Sequence, residues 1–104
     1  MGRREREAGR DPWANVEDEI KEPAMYKVFL HNDHYTAMDF VVDILMSVFG
    51  KPFEEASRIM LLVHQEGLGL CGVYPHDIAS TKVDRVHYLA RKNGFPLKCS
   101  MERE

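Results

Sequence analysis

Gly50, Gly67 and Gly94 each close a stretch in which apolar residues recur at three- and four-residue spacing. That repeated punctuation commits the chain to three helices and leaves only short segments around them for strands. The first stretch, "TAMDFVVDILMSVFG", has Met38, Val41, Val42, Leu45, Val48 and Phe49 on one stripe. Thr36 is the expected N-cap, with Asp39 three residues on as a short-armed capping box. The second, "KPFEEASRIMLLVHQEG", places Pro52 near the first helical position and Glu54 and Glu55 at the positive end of the dipole. Its stripe is Phe53, Ala56, Ile59, Met60 and Val63. The third, "HDIASTKVDRVHYLARKNG", is amphipathic through Ala79, Val83, Val86 and Ala90.

The intervening segments carry period-two patterns. In "MYKVFLH", Tyr26, Val28 and Leu30 alternate with Lys27, Phe29 and His31; in "FPLKCSM", Leu97, Cys99 and Met101 alternate with Lys98 and Ser100. "LGLCGVY" reads as a strand whose glycines permit a bulge or a close backbone approach. The order is therefore β-α-α-β-α-β, an α+β layout with three helices packed on one face of a three-stranded sheet. A chain of 104 residues suits one core and is short for two. Residues 25–104 form the expected domain, and residues 1–24, with only Trp13, Val16 and Ile20 as sizeable apolar groups, are expected to be a flexible N-terminal tail. Trp13 is either an incidental exposed aromatic or a short docking element for a partner.

Composition removes several function classes. A net charge of −3 with no basic stripe argues against nucleic-acid binding. No run approaches the roughly 18 apolar residues of a spanning helix, so no membrane partner is expected. Cys71 and Cys99 are far apart and read as small core hydrophobes in a reducing, cytoplasmic setting.

The chemistry is concentrated in "LHNDHYTAMDF", residues 30–40. A metal site built from His31, Asp33, His34 and His64 lacks the i, i+4 histidine pair that fixes two imidazoles on one helix face. Catalysis by His64 with Asp33 lacks a nucleophile. Two readings stay open on the residues alone. Asn32, Asp33 and Thr36 would serve as turn and cap residues. Alternatively, the loop is half of a ligand pocket, because Met60, Val63 and His64 share one face of the second helix and combine apolar surface with a polar group.

The strings "MYKVFLHNDHYTAMDFVVDIL", "EASRIMLLVHQEGLGLCGVY", "IASTKVDRV" and "FPLKCSMERE" resemble the bacterial ClpS adaptor family from near residue 23 onward. The resemblance implies a small domain of three helices and three antiparallel strands. It also implies an adaptor, not an enzyme, that binds proteins beginning with Leu, Phe, Tyr or Trp and hands them to a ClpA-type or ClpC-type AAA+ unfoldase partnered with ClpP. By position, Asn32, Asp33 and His64 match the residues that hold the substrate's α-amino group. Thr36, Met38, Val41, Met60, Val63 and Leu97 match the side-chain pocket, with Met38 resembling a gate against β-branched first residues. Asp77 and Lys82 match positions facing the unfoldase. No cofactor or metal is implied, and a monomer is expected. The alternative within the resemblance is an interaction domain that modulates the unfoldase without reading N-termini. Three positions depart from the family pattern: His34 replaces a second acidic residue, Ala37 replaces a common Pro, and Asp77 stands where Glu is usual.

Overall fold

In the computed structural model, which describes residues 23–104, the first strand of the chain becomes the middle of the sheet. β1 (Met25–His31) pairs antiparallel on one side with β2 (Leu68–Pro75) and on the other with β3 (Lys98–Arg103). Nearly the whole expected tail, residues 1–22, lies outside the described residues. The alternation in β1 turns Val28 and Leu30 fully into the core, where both are 0% exposed. Cys71 and Cys99 enter the same core from the flanking strands.

The three helices follow as the periodicity requires: α1 (Met38–Ser47), α2 (Phe53–Glu66) and α3 (His76–Lys92), in the order β1-α1-α2-β2-α3-β3. Val41, Val42 and Leu45 of α1, Ala56, Ile59 and Val63 of α2, and Ala79, Val86 and Ala90 of α3 are buried together. All three punctuating glycines have positive φ. Gly94 closes α3 in a double-bonded C-terminal turn: the Phe95 N–H reaches the Ala90 carbonyl at 2.8 Å and the Gly94 N–H reaches Arg91 at 3.1 Å. Phe95 then packs on Phe40, ring centres 4.8 Å apart.

Several local expectations are corrected. α1 begins at Met38 with Ala37 at the N-cap and no side-chain cap; Thr36 gives its hydroxyl to Asp33 instead. The helix also ends at Ser47, short of Gly50. Phe53, placed on the inward stripe of α2, is 63% exposed because the first helical residue still lies outside the packed turn. Pro52 occupies the N-cap itself.

β2 carries the predicted irregularity. Val28 pairs with Gly72 and Phe29 with Leu70, so Cys71 is the extra residue of a bulge. Gly69 lets α2 lie directly on the strand: a Cβ there would stand 2.5 Å from Val63 Cγ2 and 3.4 Å from the Ile59 carbonyl oxygen. On β1, His31 Nε2 sits 2.6 Å from Ser100 Oγ across the sheet. Burial, and then the charge of Lys98, holds this imidazole below its ordinary value of 6.5. The unfolded chain therefore takes the proton more readily than the folded one. The resulting contribution to stability is complete above pH 6.5 and disappears as pH falls through the lower folded value. We expect Tm to drop between about pH 7.5 and about pH 5.5, and His31→Gln to reduce that drop; identical drops in both proteins would assign the acid sensitivity elsewhere.

Candidate functional site

The loop of residues 32–37 is fixed at both ends by its own sequence. Its first residue is tied across the fold, since the Asn32 N–H donates to the Gly67 carbonyl at 3.0 Å. Gly67 is the left-handed terminator of α2, with φ of 86°. This single bond sets Asn32 beside the last turn of the helix that carries His64. A helix stop and a strand end thereby become one site.

Asp33 shapes the rest of the loop. Its Oδ1 accepts from the N–H groups of Tyr35 at 2.8 Å and Thr36 at 2.7 Å, and its Oδ2 accepts from the Thr36 hydroxyl at 2.7 Å. Partial burial pushes the carboxyl up. The Thr36 hydroxyl, the two backbone donors and the charge of His34 outweigh it and hold Asp33 below its ordinary value. The site thus keeps a negative charge while the same carboxylate folds the loop. Tyr35, at the tip, is left 80% exposed.

Between this loop and two helices lies a cavity of about 340 Å³. The loop supplies Asn32, Asp33, His34 and Thr36 to its wall; α1 supplies Met38 and Val41, and α2 supplies Met60, Val63 and His64. The polar groups come from the loop and the end of α2, and the apolar groups from the helix faces that continue into the core. Val41 and Val63 are themselves core residues, and Met38 is 47% exposed. Such a cavity suits a ligand with one cationic or hydrogen-bond-donating end and one apolar end.

Eight of the residues expected at the site are therefore together. Leu97 is not on the wall: it is 4% exposed, packed in the central core just before β3. His34, considered above as a metal ligand and as a departure from the family pattern, is also on the wall. Asp77 and Lys82 lie elsewhere, on α3. Asp77 is fully exposed and pairs with His76 at 3.3 Å. Lys82 is half-buried: its ammonium donates to the Val48 carbonyl at 2.8 Å and faces the rings of Phe49 and Tyr74 at 5.8 and 5.1 Å. It ties α3 to the end of α1.

Among the described residues, no three His, Cys, Asp or Glu side chains converge as metal ligands. His31 is off the cavity wall and bonded to Ser100. Both thiols are buried; burial pushes Cys71 far up and Cys99 up to about 12, so neither offers a thiolate near neutral pH.

Residues 21–100 match the family profile described as ATP-dependent Clp protease adaptor protein ClpS. The ClpS adapter of Syntrophus aciditrophicus is 63% identical over 86 residues, covering 83% of this chain and 80% of the relative. A ClpS adapter of Nitratidesulfovibrio vulgaris is 53% identical over 96 residues, covering 92% and 96%. Among solved structures, Agrobacterium tumefaciens ClpS2 bound to L-phenylalaninamide superposes with a TM-score of 0.77 at 37% identity, covering 80% of this chain and all of that one.

Proposed function

The chain belongs to the ClpS family of Clp protease adaptors, and on that premise we propose that its cavity grips the first residue of other proteins when that residue is Leu, Phe, Tyr or Trp. One observation carries the reading: acceptor groups of Asn32, Asp33 and His64 line the same 340 Å³ cavity as Met38, Val41, Met60 and Val63. A chain's α-ammonium offers three donors and a positive charge, so it needs such acceptors. The attached side chain needs the apolar wall. L-phenylalaninamide, bound by the Agrobacterium relative, has both parts and an amide where a second residue would begin.

The magnitudes suit an adaptor that releases its cargo. Hydrogen bonds to the ammonium contribute about 1.5–3 kcal/mol each, and burying a Leu or Phe side chain adds about 1.5–3 kcal/mol. Several kcal/mol of association and ordering cost oppose them, leaving affinity on the order of micromolar. The grip needs no cofactor and breaks no bond. Met38, on the cavity wall at the half-exposed start of α1, is the proposed gate against first residues with a branched Cβ. The cargo is then handed to a ClpA-type or ClpC-type AAA+ unfoldase, with the exposed Asp77 on α3 as a contact and Lys82 holding that helix against α1.

A fluorescence assay with otherwise identical peptides beginning Leu, Phe, Tyr, Trp, Ile, Arg and acetyl-Leu tests the grip. We expect the four bulky first residues to bind at least about tenfold more tightly than Ile or Arg, a difference of about 1.4 kcal/mol. Acetyl-Leu should lose binding, since acetylation removes the charge and donors. Tight binding of acetyl-Leu would overturn the α-amino mechanism.

A further inference from the structure

The five histidines divide into two groups. His31 is bonded to Ser100, His76 pairs with Asp77 at 3.3 Å, and His87 Nε2 accepts the Cys99 N–H at 3.0 Å. His34 and His64 instead line the cavity; both are exposed, and among the described residues neither ring has a hydrogen-bond partner. In the proposed grip His64 is taken by the cargo's α-ammonium. His34 is left without a task.

The charges on the wall are few. Asp33 is its one carboxylate among the described residues, and no Lys or Arg lines it. Asp39, in the first turn of α1, and Glu66, at the end of α2, are off the wall. When the ammonium of a gripped chain neutralises Asp33, the two imidazoles are the titratable groups that remain. A neutral imidazole donates one N–H and accepts at its other nitrogen, whereas a protonated one donates twice and is a cation. A carboxylate can bond to either form, but a lysine or arginine is repelled by the second.

Resting on that grip, we infer that His34 reads the second residue of the cargo and favours Asp or Glu there over Lys or Arg. The cargo's first side chain lies against Met38, Val41, Met60 and Val63, so the rest of the chain leaves by the open side of the cavity. His34 is at that side, between Asp33 and Tyr35, which is 80% exposed. Consecutive Cα atoms are about 3.8 Å apart in cargo and loop alike. One step along the cargo from its ammonium is therefore matched by one step along the loop from Asp33 to His34. The field of His34 already reaches this neighbour, since its charge helps hold the Asp33 carboxyl below its ordinary value.

Peptides beginning Leu-Glu, Leu-Ala and Leu-Lys, identical thereafter, test the assignment when titrated by fluorescence into the full chain near neutral pH. We expect Leu-Glu to bind roughly two- to fivefold more tightly than Leu-Lys, the upper range for an exposed charge pair, and high salt to erase the difference. His34→Asp should reverse the order and His34→Gln should bring the two together. Each affinity is taken relative to Leu-Ala on the same variant, so that a general weakening of the cavity cancels. Glu and Lys moved to the far end of the peptide provide the remaining control: the net charge of −3 acts on the whole ligand and favours Lys, so the Glu preference should vanish there. If no peptide binds the unmodified chain, the grip itself is wrong, and the assignment falls with it. If all bind alike, if Leu-Lys binds best, or if the Glu preference persists in both variants, the grip stands and the assignment to His34 is overturned.

Discussion

Asp33→Ala should weaken binding of a Leu-initiated peptide by roughly 30- to 100-fold, and Asp33→Asn by only about tenfold, on the conversion of 1.4 kcal/mol per decade. The alanine loses two things at once. It removes the carboxylate proposed to face the ammonium, and it releases the three hydrogen bonds that hold Tyr35 and Thr36. At about 0.5–1.5 kcal/mol net for each solvent-accessible bond, the freed loop spends most of its time in shapes that do not bind. The ligand must then restore the binding-competent fraction. Asparagine keeps an oxygen for the two N–H donors, and the Thr36 hydroxyl can rotate to accept from the amide. The brace survives while the charge is lost. Titration at low and high salt separates the two effects, because only the charge contribution is screened. If the two variants weaken binding equally, the brace has no part in recognition.

Gly69→Ala should lower both stability and affinity although residue 69 is not on the cavity wall. The added methyl would stand 2.5 Å from Val63 Cγ2, and a valine on a helix has one strongly preferred rotamer with which to yield. The helix must move instead. Overpacking of this kind costs about 1–3 kcal/mol, or roughly 5–20 °C in Tm for a domain of this size. Val63 and His64 line the cavity, so the displacement reaches the site directly. Removing the obstructing methyls is the control: Val63→Ala also empties a core position, so Gly69→Ala with Val63→Ala should lose less Tm than the two single losses summed. Additive losses in the double variant would show that the glycine is not there for close approach.

The fold was legible because each helix combined an apolar stripe with a glycine stop, the first and last strands alternated, and glycines punctuated the middle one. The site was legible in part. The resemblance placed Asn32, Asp33, His64 and the five wall residues that surround them, and the cavity contains all eight. What local sequence could not decide was which end of two similar patterns would fold. Thr36 with Asp39 reads as a capping box, and Asp33 with Thr36 is an equally good side-chain turn. α1 starts at Met38, with its N-cap one residue beyond Thr36, so the second pattern prevails. Leu97 shows a different limit. Alternation says that it points inward, but not whether inward means the cavity or the sealed core. Lys82 shows a third, because its acceptor at Val48 is 34 residues away, and no local pattern announces a contact at that separation.

The central position of β1 also governs how the molecule comes into being. His31 of β1 and Ser100 of β3 are joined by a side-chain hydrogen bond although they stand 69 positions apart in the chain. During synthesis the middle strand is the first to leave the ribosome and the last to have both edges satisfied, so closing its second edge must await a long chain excursion. Until then Phe29 and Leu30 belong to a strand with an unpaired edge, the kind of segment that adheres to other nascent chains. A protein proposed to deliver others for destruction therefore passes through an interval in which its own first strand is open to pairing with other chains.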